Sequence, residues 1–132
     1  MQIFALRLKP EMDLRKSLWE FVQKNNIQAG FILTTVGSLK QASIRLAGKS
    51  DSQIFTGDLE IVSLSGTLSQ DGVHLHMAIS DAEGKTIGGH LSNGTIVRTT
   101  AEIVVGESLA HRFSRVIDAQ TGYQELEVKD RG

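Results

Sequence analysis

The chain of 132 residues has room for one domain, and at this size roughly two thirds of the unfolded surface can be buried in a single core. It has no cysteine, which excludes disulfides and thiolate metal sites. The formal net charge of −1 and the 22% charged residues give no support for a basic surface that binds nucleic acid through its phosphates.

The N-terminal sequence, MQIFALRLKP, places Arg7 and Lys9 in a short apolar run and lacks the pattern of a signal peptide. No stretch approaches the roughly 18 apolar residues of a membrane span. We therefore expect one cytoplasmic domain over residues 1–132 that does not associate with a membrane.

The first predicted elements are a strand over residues 2–8 and a helix over residues 13–25. Asp13 is a suitable N-cap because its carboxylate can accept from free N–H groups of the first turn. Trp19 lies beside the apolar stripe, and we expect it to pack partly on the core. The apolar residues that recur at helical spacing are Leu14, Leu18, Phe21 and Val22.

Most of the remaining chain reads as strand. Residues 31–46 are β-rich, and Gly37 predicts a bend or bulge there. Residues 59–68 alternate, which predicts Val62, Leu64 and Leu68 on one face. In residues 73–80 the alternation places Val73, Leu75, Met77 and Ile79 together.

Turn signals connect these strands. Asp71-Gly72 separates two alternating runs and predicts a hairpin, and Asn93-Gly94 is a second signal of the same kind, followed by a strand over residues 95–105. Glu83-Gly84 predicts a looser turn. In the C-terminal segment, Tyr123, Leu126 and Val128 alternate and predict some strand.

Several hairpin-linked strands and one good helix predict an α+β fold, an antiparallel sheet with the helix packed on one face. The other face is then solvated or covered by another subunit. Ile103, Val104 and Val105 are apolar on both strand faces, which favours partial cover and an oligomer.

The run at residues 57–67, GDLEIVSLSGT, resembles the signature of the PPC domain, which plants and prokaryotes share. Four further segments match in the expected order across nearly the whole chain. They are Gln28-Ala29-Gly30 leading to Val36-Gly37-Ser38-Leu39, His74-Leu75-His76, Gly88-Gly89-His90-Leu91, and Thr100-Ala101-Glu102.

This resemblance implies an antiparallel sheet with a helix, assembled as a homotrimer. The related plant proteins are nuclear DNA-binding regulators, and their DNA contact is made largely by a separate AT-hook that enters the minor groove. This sequence has no such Arg-Gly-Arg-Pro segment. The resemblance therefore implies the assembly and interaction module of the plant proteins without the arm that reads DNA.

Three histidines form the candidate site. His74 and His76 are two residues apart on a predicted strand, so both side chains leave the face opposite Leu75. His90 follows Gly88-Gly89, where missing side chains allow close approach of a backbone. Three imidazoles make a metal site with an open position, for which zinc is the first choice and nickel, copper and iron fit the ligand type. The alternative is that the pair merely lies on a solvated or inter-subunit face.

Two carboxylates are candidate supporting residues. Glu102 is interpreted as half of an ion pair with Arg98, with the alternatives of a fourth ligand or a base beside bound water. Glu60 is interpreted as a hydrogen-bonding residue that stabilises the fold or a subunit interface. His111 is expected at the surface. Serine-nucleophile, phosphate-loop and dinucleotide motifs are missing.

Three hypotheses follow. The first is a non-catalytic homotrimeric regulatory module that binds a protein or small ligand at subunit boundaries. The second is a zinc-binding sensor or metal-dependent enzyme that uses His74, His76 and His90. The third is direct DNA binding, in which trimerisation gathers Arg98, Arg112 and Arg115 on one face although the bulk charge does not favour it.

Overall fold

The computed structural model describes all 132 residues, Met1–Gly132. One helix and eight strands follow in chain order: β1 Gln2–Leu8, α1 Leu14–Lys24, β2 Gly30–Arg45, β3 Gln53–Ser69, β4 Gly72–Ser80, β5 Thr86–Leu91, β6 Ile96–Glu107, β7 His111–Ile117 and β8 Gln124–Asp130. The α+β class and the antiparallel sheet with one helix are confirmed. The single helix is too short and too polar to cross a bilayer.

The first six strands form one antiparallel sheet in the order β1-β6-β2-β3-β4-β5. The end of β2 also pairs with β5, through Ile44 with Leu91 and Arg45 with His90. Strands β2, β3, β4 and β5 therefore close into a ring, and β1 and β6 extend it on one side. Strands β7 and β8 form a separate hairpin.

The helix begins as the sequence predicts. Asp13 caps it by accepting from the Lys16 N–H at 3.0 Å, and its second oxygen accepts from the Gly94 N–H at 2.7 Å. Leu14, Leu18 and Val22 are completely buried, because their spacing of four residues returns them to one face. Trp19 packs at the edge of the core, as expected.

The Asp71-Gly72 hairpin is confirmed, since Ser69 at the end of β3 pairs with Gly72 at the start of β4. The prediction of a hairpin at Asn93-Gly94 was wrong. This turn joins β5 to β6, which are not paired with each other. Its Gly94 N–H is bound by Asp13 instead, so the turn connects the sheet to the start of the helix.

Strand β3 is longer than expected, and Val62 was assigned to the wrong face. Ile61 and Leu64 are both buried, whereas Val62 is 55% exposed. A register shift between Ile61 and Ser63 is the cause. One extra residue in a strand reverses the alternation. The residues that face the core are therefore odd-numbered before the bulge, as Ile61 is, and even-numbered after it, as Leu64 is.

Gly66 provides a test of how closely β3 and β4 approach. Its φ is +150°, and a Cβ there would overlap the carbonyl oxygen of His74. Gly57 lies on the same strand with a φ of +127°, but a Cβ there would meet nothing within 4 Å. The two positions therefore share the backbone strain and differ in the steric conflict.

We expect Gly66→Ala to lower the free energy of unfolding by roughly 3 kcal/mol, because backbone strain and overpacking add. Gly57→Ala should cost clearly less. Urea denaturation of both variants checks this expectation. Equal losses at the two positions would contradict the close approach at the His74 carbonyl.

Candidate metal centre

The strand β4 places two histidines on the outer surface of the ring. Val73, Leu75 and Met77 point into the core, so the alternating His74 and His76 point outward. Their ring centroids are 5.2 Å apart.

The neighbouring strand β5 adds the third histidine. His90 pairs directly with His76 across the β4–β5 ladder, and its ring centroid lies 5.4 Å from that of His74. A Cβ at Gly88 would lie 2.7 Å from the Met77 carbonyl oxygen, and a Cβ at Gly89 would lie 2.5 Å from that of Arg45. The expected close backbone approach at Gly88-Gly89 is therefore observed, on both sides of β5.

The structure brings His74, His76 and His90 together, with one ring nitrogen from each lying within 4.8 Å of the others. Two nitrogens bound to one zinc ion at about 2.1 Å in tetrahedral geometry lie about 3.4 Å apart. Small rotations of these side chains, two exposed and one half-buried, would complete that arrangement. Three imidazoles with a free side toward solvent fit a borderline-soft divalent metal ion.

The surroundings keep two of the imidazoles neutral. Partial burial lowers the pKa of His90 to about 4, and nearby Arg45 acts in the same direction. Partial burial also lowers the pKa of His74, with Arg115 as the next cause, while Glu125 opposes the shift. Neutral imidazole is the form that binds a metal ion, so the lowered pKa values of His74 and His90 favour metal binding by these two residues near pH 7.

An open cleft of about 880 Å³ lies against His74 and His90. Its cationic side chains come from four parts of the chain: Arg15 from α1, Arg45 from the end of β2, Lys49 from the following loop and Arg115 from β7. This cluster was not predicted from the sequence, because its members are far apart in the chain. The only local signal was the alternation within β2, which turns Arg45 outward because the neighbouring Ile44 is buried.

The other candidate residues lie elsewhere. Glu102 is on β6, paired with Arg7 and Val36, and Glu60 is exposed on β3; neither belongs to the three-histidine group. The expected Glu102–Arg98 ion pair was wrong, since Arg98 lies 3.3 Å from Asp58 instead.

His111 is half-buried on β7, where its Nδ1 lies 2.7 Å from the Ser108 hydroxyl. Of the three arginines considered for DNA, Arg98 is engaged by Asp58, Arg115 lines the cleft and Arg112 does not.

A family model, the Plants and Prokaryotes Conserved domain, matches residues 1–109. Among curated proteins, the bifunctional protein GlmU of a Synechococcus strain is 49% identical over 129 residues. That match covers 98% of this chain and 21% of the relative. The GlmU of a second Synechococcus strain is 47% identical, and the match covers 20% of that relative. The chain thus spans about a fifth of the length of these relatives.

Several solved structures share the fold. A hypothetical protein from Salmonella has a TM-score of 0.96 and 43% identity, covering 98% of this chain and 94% of that one. A proposed DNA-binding protein from Bacteroides thetaiotaomicron has a TM-score of 0.82 at 24% identity, covering 95% and 91%, which shows the fold alone. A metal-containing protein from Archaeoglobus fulgidus has a TM-score of 0.79 and 28% identity, covering 95% and 92%.

The family match over residues 1–109 agrees with the resemblance carried by the 57–67 signature and by the histidine segments. The chain belongs to the Plants and Prokaryotes Conserved domain family.

Proposed function

We propose that this domain binds one divalent transition-metal ion, with zinc as the first choice, through His74, His76 and His90. The observation that carries the proposal is the convergence of three ring nitrogens within 4.8 Å from two neighbouring strands. The metal-containing relative from Archaeoglobus fulgidus supports the same assignment. A metal ion held by three neutral imidazoles keeps an open position and lowers the pKa of a bound water.

The cleft beside the site favours a role that involves a ligand. His74 and His90 line it directly, so a molecule in the cleft would face the open side of the metal ion. A sensor of a small ligand and a metal-dependent enzyme would both use this arrangement. The protein's own residues contribute the three ligands and the charged wall of the cleft.

Each of the variants His74→Ala, His76→Ala and His90→Ala should lose the metal ion. We expect affinity to fall by more than the roughly 10–100-fold that loss of a supporting outer partner typically costs, because a direct ligand is removed. Native mass spectrometry of protein purified without a histidine tag measures the bound metal. His111→Ala is the matched control and should keep one ion per chain. Unchanged metal content in His90→Ala would exclude this site.

The lowered pKa of His90 makes a prediction for the metal-free protein. Between its ordinary value near 6.5 and about 4, the unfolded chain binds more protons at this position than the folded chain. The free energy of unfolding should therefore fall as the pH is lowered through this window. Urea denaturation between pH 7 and pH 4.5 measures the slope.

His90→Gln is the control for this pH dependence, because it removes the titrating group and keeps a polar side chain. We expect a shallower slope in the variant. Identical slopes would show that His90 is not held neutral in the fold.

We further propose that the domain assembles with copies of itself, as a homotrimer of the kind that the family resemblance implies. The supporting observation is the number of large apolar side chains on the outer surface of β2 and β3. Val36 is 57% exposed, Val62 55% and Ile54 54%. The register that pairs Ser38 with Glu60 sets Val36 opposite Val62, so the two form a continuous apolar surface.

Val62→Asp should reduce the trimer to monomers, because burying an unpaired carboxylate in an interface is costly. Native mass spectrometry of wild type and variant reads the assembly directly. Val128→Asp is a matched control on β8, where the valine is 53% exposed. A wild-type monomer, or a trimer unaffected by Val62→Asp, would contradict an interface on this surface.

A further inference from the structure

The cleft beside the three histidines carries more positive than negative charge. Four cationic side chains and two acidic ones, Asp71 and Glu125, line it, although the whole chain has a net charge of −1. Only two of its fourteen lining residues are hydrophobic. An apolar ligand would gain little here, whereas an anion would be attracted by a concave surface that focuses the field.

These cations are not neutralised within the protein. No side-chain nitrogen of Arg15, Arg45, Lys49 or Arg115 forms an ion pair with a carboxylate within 4.0 Å, whereas Arg98 and Arg131 each have such a partner. The guanidinium groups of the three cleft arginines donate to neutral acceptors: the Asn93 side-chain oxygen, the Lys49 carbonyl and the Thr67 hydroxyl. Their charge remains available to a ligand.

Arg115 is held in place at one side of the site. Its Nη2 donates to the Thr67 hydroxyl at 2.9 Å, and its backbone N–H donates to an Asp71 carboxylate oxygen at 2.9 Å. Thr67 pairs with His74 across the β3–β4 ladder. The guanidinium therefore stands next to the candidate metal ligand with donors to spare.

Arg45 occupies the opposite side of the site. It is paired with His90 at the short junction of β2 and β5, and it faces outward because Ile44 faces the core. The histidines thus lie between two guanidinium groups that come from opposite directions. Planar guanidinium groups bind carboxylate and phosphate oxygens in a bidentate manner.

We propose that the cleft binds a small organic oxyanion, a carboxylate or a phosphate ester. Arg45 and Arg115 take the anionic group, and a neighbouring oxygen faces the metal ion. The inference rests on the proposed metal site and adds the chemical class of its ligand. It also assigns a role to the β7–β8 hairpin, which lies beyond the residues of the family match and supplies Arg115 and Glu125 to the cleft.

The test uses the full chain loaded with Co²⁺, whose visible absorption reports changes in coordination. Malonate and inorganic phosphate are titrated separately, with isothermal calorimetry as a second readout. We expect saturable binding of at least one of them that weakens as NaCl is raised, because the interaction is electrostatic. The tighter of the two identifies the carboxylate or the phosphate class.

Arg115→Gln should weaken this binding by about tenfold or more, since a charged hydrogen bond is lost. Arg112→Gln is the matched control, because it removes the same charge from the same strand outside the cleft. Arg45→Gln is a second test that leaves the hairpin intact, and circular dichroism verifies the folding of each variant. Equal weakening by Arg112→Gln would mean that only the overall charge matters and would overturn the inference.

Failure of the two proposals can be told apart. If wild-type protein does not bind Co²⁺, the metal site is wrong. If Co²⁺ binds while neither anion changes the spectrum or releases heat, the metal site stands and the anion inference is overturned.

Discussion

The short strand β5 is the constraint on which the site depends, because it hydrogen-bonds to two strands at once. Its pairing with β4 sets His90 opposite His76, and its pairing with the end of β2 sets Arg45 beside His90. Gly88-Gly89 make the double pairing sterically feasible, since side chains there would meet carbonyl oxygens of both neighbours. Closing the ring therefore assembles the histidines and one wall of the cleft in the same step.

The C-terminal hairpin is attached to this ring by a largely buried ion pair. Glu107 at the end of β6 is 6% exposed, and its carboxylate accepts from Arg131 at 3.0 Å and from the Gln28 N–H at 2.6 Å. Arg131 also donates to backbone carbonyls of Ser108 and His111. A buried carboxylate needs such partners, and here they join the end of the hairpin to β6 and to the residues before β2. The attachment holds β7 where Arg115 can reach Thr67.

The electrostatics of the proposed site are coupled. The cleft arginines disfavour a positive charge on His74 and His90, which keeps these ligands neutral but also opposes a bound dication. An oxyanion held between Arg45 and Arg115 would offset both repulsions. In the proposed complex, the metal ion and the anion thus stabilise each other, and each should bind more tightly in the presence of the other.

Local patterns in the sequence determined the helix with its Asp13 cap, the β3–β4 hairpin and the shared face of His74 and His76, because these depend on residues close together in the chain. Only the tertiary structure decided the pairing of β5 with β2, the bulge that exposes Val62 and the position of Asn93-Gly94 between unpaired strands. It also separated Glu102 from the histidines and gathered Arg45 and Arg115 around them. Strand pairing between distant segments sets these features, and alternation within one strand specifies a face but not the neighbour that lies beside it.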